Sequence, residues 1–79
     1  MNDKVLFYKY FYSKNITELE NLLNKNISII DFYDKYKLIN FILINDWNDC
    51  VELFKKLQIK LDDNYIDKYK AIYKCKNII

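Results

Sequence analysis

The side chains that most often do chemistry in proteins are scarce in this sequence. None of its 79 residues is histidine, so it offers no imidazole base, no Ser-His or Cys-His pair and no histidine ligand for a metal. Its two cysteines, Cys50 and Cys75, are 25 positions apart, a spacing that does not match a zinc site. No glycine is present to build a phosphate-binding loop. These features predict a protein that is not an enzyme and has no catalytic residue, metal or cofactor.

Two pairs of acidic residues are candidates for binding a divalent cation. They are Asp62 with Asp63 and Asp46 with Asp49. Each pair also stands where a segment of helical periodicity begins. An aspartate at that position accepts hydrogen bonds from the first N–H groups of a helix, so we interpret both pairs as helix caps.

Tyrosine and lysine are the side chains that remain for binding. Eight phenols cannot all be buried with satisfied hydroxyl groups in so small a domain. Exposed tyrosine offers a large contact area at low entropic cost and is enriched at protein interfaces. We therefore expect a protein-binding surface that draws on Tyr33, Tyr36, Tyr65, Tyr69, Tyr73, Lys68, Lys70 and Lys74.

The lysines are concentrated near the C-terminal end. The net charge is only +2, yet no acid follows Asp67, whereas four lysines do. Lysines interleaved with Tyr69 and Tyr73 could bind a phosphate backbone and stack on bases, which makes nucleic-acid binding the alternative function. The absence of arginine, which reads guanine through paired hydrogen bonds, favours a protein partner instead.

The spacing of apolar residues predicts an all-α fold of four to five short helices in a single domain over residues 1–79. The clearest helix runs from Asn15 to Lys25, because Asn15 followed by Glu18 resembles a capping box. We expect Asn26 to end it in the left-handed conformation. Asp46 with Asp49 repeats the capping pattern.

Three further helices are less clearly marked. Residues 5–12 are nearly all apolar or aromatic, and we interpret them as a short helix with Asn2 or Asp3 as a cap and with a β-strand as the rival. Residues 38–44 are apolar except for Asn40, and we interpret them as a buried helix, with a β-strand as the rival. The last helix is expected to begin near Asp63.

The sequence also contains an internal repeat. Asp34-Lys35-Tyr36-Lys37 recurs as Asp67-Lys68-Tyr69-Lys70, at an offset of 33. Residues 27–29 and 59–61, which we take as short extended links, correspond at an offset of 32. Self-similarity at this period is typical of helical repeat proteins.

A two-helix unit of this length, entered through a short extended loop, resembles the ankyrin repeat. Residues 34–62 match best, with 37–40 at the place of the family's Thr-Pro-Leu-His and 50–54 at that of its Val-Val-x-Leu-Leu helix. Asp46 and Gln58 stand where the family has glycine. The resemblance implies about two and a half stacked hairpins and a protein-binding role. A compact helix bundle is the alternative architecture.

Composition also bears on the source and location of the chain. Abundant Lys, Ile, Asn and Tyr without Gly, Pro, His or Arg is typical of an AT-rich genome. No signal-peptide cleavage site follows the short apolar run at residues 5–12, so we expect an intracellular, cytoplasmic protein without membrane contact.

Size and composition together resemble those of small phage and viral proteins that inhibit host machinery, such as anti-CRISPR and other anti-defence inhibitors. That resemblance predicts an inhibitor that sterically occludes a host protein. A homodimer is a further expectation, because two and a half stacked repeats would leave one apolar end for a symmetric partner to cover.

Overall fold

The computed structural model describes the backbone of residues 2–78 and the side chains of residues 2–72. Over these residues the fold is all-α, as predicted, with no strand. Its helices are α1 Asp3–Tyr12, α2 Ile16–Lys25, a 3₁₀ helix Ile27–Phe32, α3 Lys35–Ile44, α4 Asn48–Lys56 and α5 Asp63–Ile78.

The chain divides into two compact units, Met1–Asp34 and Lys35–Ile79. The single domain expected from the sequence stays a prediction. Among the helices described, none is long and apolar enough to cross a membrane.

The first unit is an α1–α2 hairpin with the 3₁₀ helix packed against it. Asn2 caps α1 by accepting a hydrogen bond from the Lys4 N–H at 2.8 Å, and Asn15 caps α2 by accepting from the Glu18 N–H at 3.3 Å. Both caps were predicted. The core of this unit consists of Phe7, Phe11, Leu19, Leu22, Leu23, Ile29 and Ile30.

Two predictions about the end of α2 are wrong. Asn26 has a φ of −149° and a ψ of 79°, so it is not left-handed. The expected extended link at 27–29 is instead the first turn of the 3₁₀ helix. Neighbouring Ile29 and Ile30 are both buried. Successive residues of an extended chain point to opposite sides, whereas a helical turn places both against one core.

The second unit contains the α3–α4 hairpin, and α5 packs against α3. Leu38, Ile39, Ile42 and Leu43 of α3 are buried. Their spacing puts all four on one helical face. Residues 38–44 are therefore a buried helix, as expected, and the rival strand interpretation is wrong.

The predicted cap at Asp46 is a turn residue instead. Asp46 is left-handed, with a φ of 50°, and the N-cap position of α4 is Trp47, which makes no side-chain capping bond. The Asp46 N–H donates to the Leu43 carbonyl and the Trp47 N–H donates to the Ile42 carbonyl. This pair of bonds is a Schellman motif, which ends α3 by satisfying its last carbonyls.

The same motif closes the hairpin of the first unit. The Lys14 N–H donates to the Phe11 carbonyl at 3.1 Å, and the Asn15 N–H donates to the Tyr10 carbonyl at 2.9 Å. Lys14 has a φ of 57° and precedes Asp46 by 32 positions, within the range of the sequence repeat. Both hairpins therefore turn through the same motif 32 positions apart, whereas the repeated segments 27–29 and 59–61 differ in structure, since 27–29 is 3₁₀-helical and 59–61 has no regular structure.

A third Schellman motif ends α4 at Gln58, which has a φ of 60°. Both positions where the ankyrin resemblance places glycine, Asp46 and Gln58, thus adopt the conformation that glycine favours. The resemblance to that family itself stays a prediction.

Lys14→Gly should stabilise the protein. A residue with a Cβ pays about 1–2 kcal/mol in the left-handed region, and glycine does not. Glycine also gives the unfolded chain more conformational freedom, which offsets part of this stabilisation. We therefore expect the free energy of unfolding to rise by about 1 kcal/mol. Thermal unfolding followed by circular dichroism should show a Tm about 4–8 °C higher. Asn21→Gly, in the exposed middle of α2, should instead lower the Tm. Equal Tm shifts for Lys14→Gly and Asn21→Gly would contradict the explanation that the left-handed backbone of Lys14 costs stability.

Candidate protein-binding surface

Three of the predicted tyrosines lie together on the second unit. The ring of Tyr36, on α3, meets the ring of Tyr65, on α5, edge to face with centroids 4.9 Å apart. Tyr69 lies one turn further along α5, with its ring centroid 4.4 Å from that of Tyr65. We call these three residues the tyrosine cluster. Their contacts fix the rings at an angle to one another, an arrangement typical of stabilising aromatic pairs.

Two of the hydroxyl groups are held by hydrogen bonds. Tyr65 donates to Asn40 Oδ1 at 2.7 Å, and Tyr36 donates to Asp62 Oδ2 at 3.1 Å. The other oxygen of Asp62 accepts from the Tyr65 N–H at 3.1 Å, so Asp62 is a helix cap of α5, as predicted. One carboxylate therefore both starts α5 and orients a ring of the tyrosine cluster.

The cluster is partly open to solvent although its rings contact one another and two of its hydroxyl groups are hydrogen-bonded. Tyr36 is 48% exposed, and Tyr65 and Tyr69 are half-buried. Side chains already held in one conformation lose little entropy when a partner covers them. The arrangement is therefore suited to contact with another molecule.

Tyr33 belongs to the first unit and has a packing role there. Its ring stacks on Phe7 with centroids 4.5 Å apart, and its hydroxyl donates to the Lys4 carbonyl. Burial raises the pKa of Tyr33 above its ordinary value, and nearby Tyr12 raises it further. Both the face and the hydroxyl of Tyr33 are thus engaged within its own unit.

The predicted lysines of α5 do not share one face. Lys68 places its Nζ 5.6 Å from the ring centroid of Tyr69. Lys70, two positions on and so about 200° around the helix, lines a cavity together with Asp63 and Asp67. The described part of α5 therefore mixes both signs of charge and does not form a continuous basic surface.

The remaining predicted residues, Tyr73 and Lys74, lie outside the described side chains, as does Cys75. Cys50 is buried, and burial raises the pKa of its thiol to about 12. A thiol with so high a pKa stays protonated at neutral pH and is a poor nucleophile. Among residues 2–72 no group of three or more His, Cys, Asp or Glu side chains is placed to hold a metal ion.

Two residues that support the cluster were not predicted to belong to it. Asn40 was noted as a polar interruption in an apolar run, and Asp62 as a candidate cation ligand and helix cap. A polar residue on a largely buried face needs a hydrogen-bond partner, which is the signal that could have pointed to Asn40. Nothing in the sequence identifies Tyr65 as that partner.

Tyr65→Phe tests how the cluster is held. Removing the hydroxyl group should destabilise the protein by about 1 kcal/mol, because the part-buried Asn40 oxygen loses its donor while the ring contacts remain. Urea unfolding gives the free-energy change. Tyr36→Phe, which removes a hydrogen bond made in an exposed position, should cost less. If Tyr36→Phe lowered the free energy of unfolding more than Tyr65→Phe, this description of the cluster would be wrong.

The fold and this surface define an all-α protein built from helical hairpins, with a patch of contacting tyrosine rings on its second unit. Comparison with protein-family models, with curated proteins and with solved structures finds no significant match.

Proposed function

We propose that this chain is a non-catalytic protein-binding module that contacts its partner through the tyrosine cluster. The observation that carries the proposal is the cluster itself, in which the rings contact one another and remain partly exposed while the hydroxyls of Tyr36 and Tyr65 are already hydrogen-bonded. The absence of histidine and the buried, protonated thiol of Cys50 support a role without catalysis.

The mechanism that follows from such a surface is steric. A rigid aromatic patch covers a complementary apolar surface and excludes water and other ligands from it. We propose more specifically that the chain is a phage- or virus-encoded inhibitor of a host protein, of the anti-defence or anti-CRISPR type. It would act in the host cytoplasm. Its AT-biased composition supports that proposal.

Affinity capture tests the proposal. The immobilised chain is incubated with nuclease-treated lysate of the host cell, and retained proteins are quantified by mass spectrometry. We expect one protein to be retained at a fixed stoichiometry, and retention to survive moderate salt because the contact is mainly apolar. Failure to retain any protein at a stoichiometric level, with the chain folded, would count against the proposal.

No contact of the described residues favours the nucleic-acid alternative over this one. Lys70 faces Asp63 and Asp67, and the acidic side chains outnumber the lysines over residues 62–72. The alternative nevertheless makes a distinct prediction. Labelled oligonucleotides would bind at low ionic strength, and their affinity would fall steeply with added salt.

A further inference from the structure

The described part of α5 is anchored less deeply than the other α-helices. Each of α1 to α4 buries at least two side chains. Over residues 63–72 no side chain of α5 is buried, and only Tyr65, Ile66 and Tyr69 are half-buried. Because stabilisation by apolar burial is roughly proportional to the area removed from water, these residues gain less from packing than the other helices do.

The side of α5 towards α4 is not closely packed. Two adjoining cavities of about 340 and 620 Å³ are lined by residues of both helices, and Val51 of α4 and Ile66 of α5 line both cavities. Closely packed protein interiors leave few spaces larger than a water molecule. The contacts that hold residues 63–72 therefore lie mainly on the side of α3, against which α5 packs.

Two hydrogen bonds join α5 and α3 in opposite directions. Tyr36 of α3 donates to Asp62, which caps α5, and Tyr65 of α5 donates to Asn40 of α3. The two tyrosine rings meet edge to face. We call these four residues the α3–α5 clasp. None of the four is fully buried, so water can take over their hydrogen bonds when the clasp opens.

We propose that α5 undocks from α3 as a local unit while α3 and α4 stay folded, and that the α3–α5 clasp sets how often this happens. Regions with few buried apolar contacts open locally at a lower free-energy cost than unfolding of the whole structure. Residues 63–72 are such a region, because they bury no side chain and have a cavity on one side.

Undocking also takes the tyrosine cluster apart, because the clasp and the cluster share Tyr36 and Tyr65. In this respect the inference rests on the proposed function. A partner that covers the assembled cluster binds only the docked state, so it lowers the frequency of undocking by mass action. Docking of α5 then regulates the binding surface, since only docked molecules are competent to bind.

Native-state hydrogen exchange, followed by NMR for each amide of the full chain, tests the undocking without a partner. We expect the amides of residues 67–72 in α5 to exchange at least about tenfold faster than those of residues 39–43 in α3, after correction for the intrinsic rate of each residue. The reason is that undocking requires less free energy than unfolding of the α3–α4 hairpin.

Two variants separate undocking from unfolding. Tyr65→Phe removes a hydrogen bond that is broken in both events, so exchange should accelerate about fivefold at residues 67–72 and at residues 39–43 alike. Cys50→Ala removes a fully buried group from α4. It should accelerate exchange about fivefold at residues 39–43 and leave residues 67–72 unchanged, because undocking keeps the core between α3 and α4 intact.

The proposal is overturned if residues 67–72 exchange no faster than residues 39–43, or if Cys50→Ala accelerates both sets equally. An unchanged rate at residues 67–72 in Tyr65→Phe also overturns it, because the clasp would then not control undocking. A captured partner at saturating concentration should slow exchange at residues 67–72. If it does not, while the chain alone behaves as expected, the coupling to binding fails together with the proposed function and the undocking of α5 stands.

Discussion

Replacing Tyr36 and Tyr69 together by alanine is expected to weaken binding to the protein partner by about 100-fold or more. Each substitution removes an ordered aromatic ring from the tyrosine cluster. Truncating a central aromatic side chain of an interface typically costs about 2 kcal/mol or more, and about 1.4 kcal/mol corresponds to a factor of ten in Kd. Isothermal titration calorimetry with the captured partner measures the change.

The matched control for this experiment is Phe32→Ala. Phe32 is also a highly exposed aromatic residue, but it lies in the first unit, where Lys4 places its Nζ 3.8 Å from the ring centroid. We expect its removal to change the Kd less than about threefold. Tyr69→Phe retains the ring and should retain most of the affinity. Equal losses for Phe32→Ala and for the double variant would show that the tyrosine cluster is not the contact surface.

Phe54→Ala is expected to be the most damaging single substitution in the second unit. Phe54 is fully buried, and removing a buried phenylalanine side chain costs about 3–5 kcal/mol because a cavity remains. The total stability of small domains is about 5–15 kcal/mol, and a chain of this length lies near the lower end. We therefore expect a Tm lower by more than about 12 °C. Ile44→Ala, at an exposed position of α3, should change the free energy of unfolding by less than about 0.5 kcal/mol.

The same experiment tests whether the chain is one cooperative domain. Trp47 is the single tryptophan, is buried, and lies in the second unit, so its fluorescence reports on that unit, whereas circular dichroism reports on all helices. Coincident urea transitions for Phe54→Ala would support a single domain over residues 1–79. A fluorescence transition that precedes loss of helix would show that the first unit stays folded alone, and the single-domain prediction would then fail.

The helices themselves were predictable because their signals are local. The caps at Asn2 and Asn15 bond to N–H groups two and three positions away, and Asp62 does the same for α5. The one-sided burial of Leu38, Ile39, Ile42 and Leu43 is a pattern within a single helix. Each of these features depends only on residues within about one helical turn.

The prediction failed where one residue type can play several local roles. Asparagine is a common left-handed cap and aspartate is a common N-cap, yet Asn26 has a negative φ and Asp46 is left-handed. The conformation of Asn26 depended on the burial of Ile29 and Ile30, because the chain enters the 3₁₀ helix directly after Asn26. In the second case a Schellman motif took Asp46 as its turn residue, which moved the start of α4 on by one position.

The division of roles among the tyrosines depended on tertiary structure alone. Residue type and spacing already indicated an all-α chain with helical hairpins at a period near 32, no reactive histidine and more tyrosines than a small core can hold. Which tyrosines face solvent and which pack inside is set by contacts between distant positions, such as Tyr65 with Asn40 and Tyr33 with Lys4, which are 25 and 29 residues apart. Helical periodicity shows which residues share a face, but only the packing of helices on one another shows which faces remain uncovered.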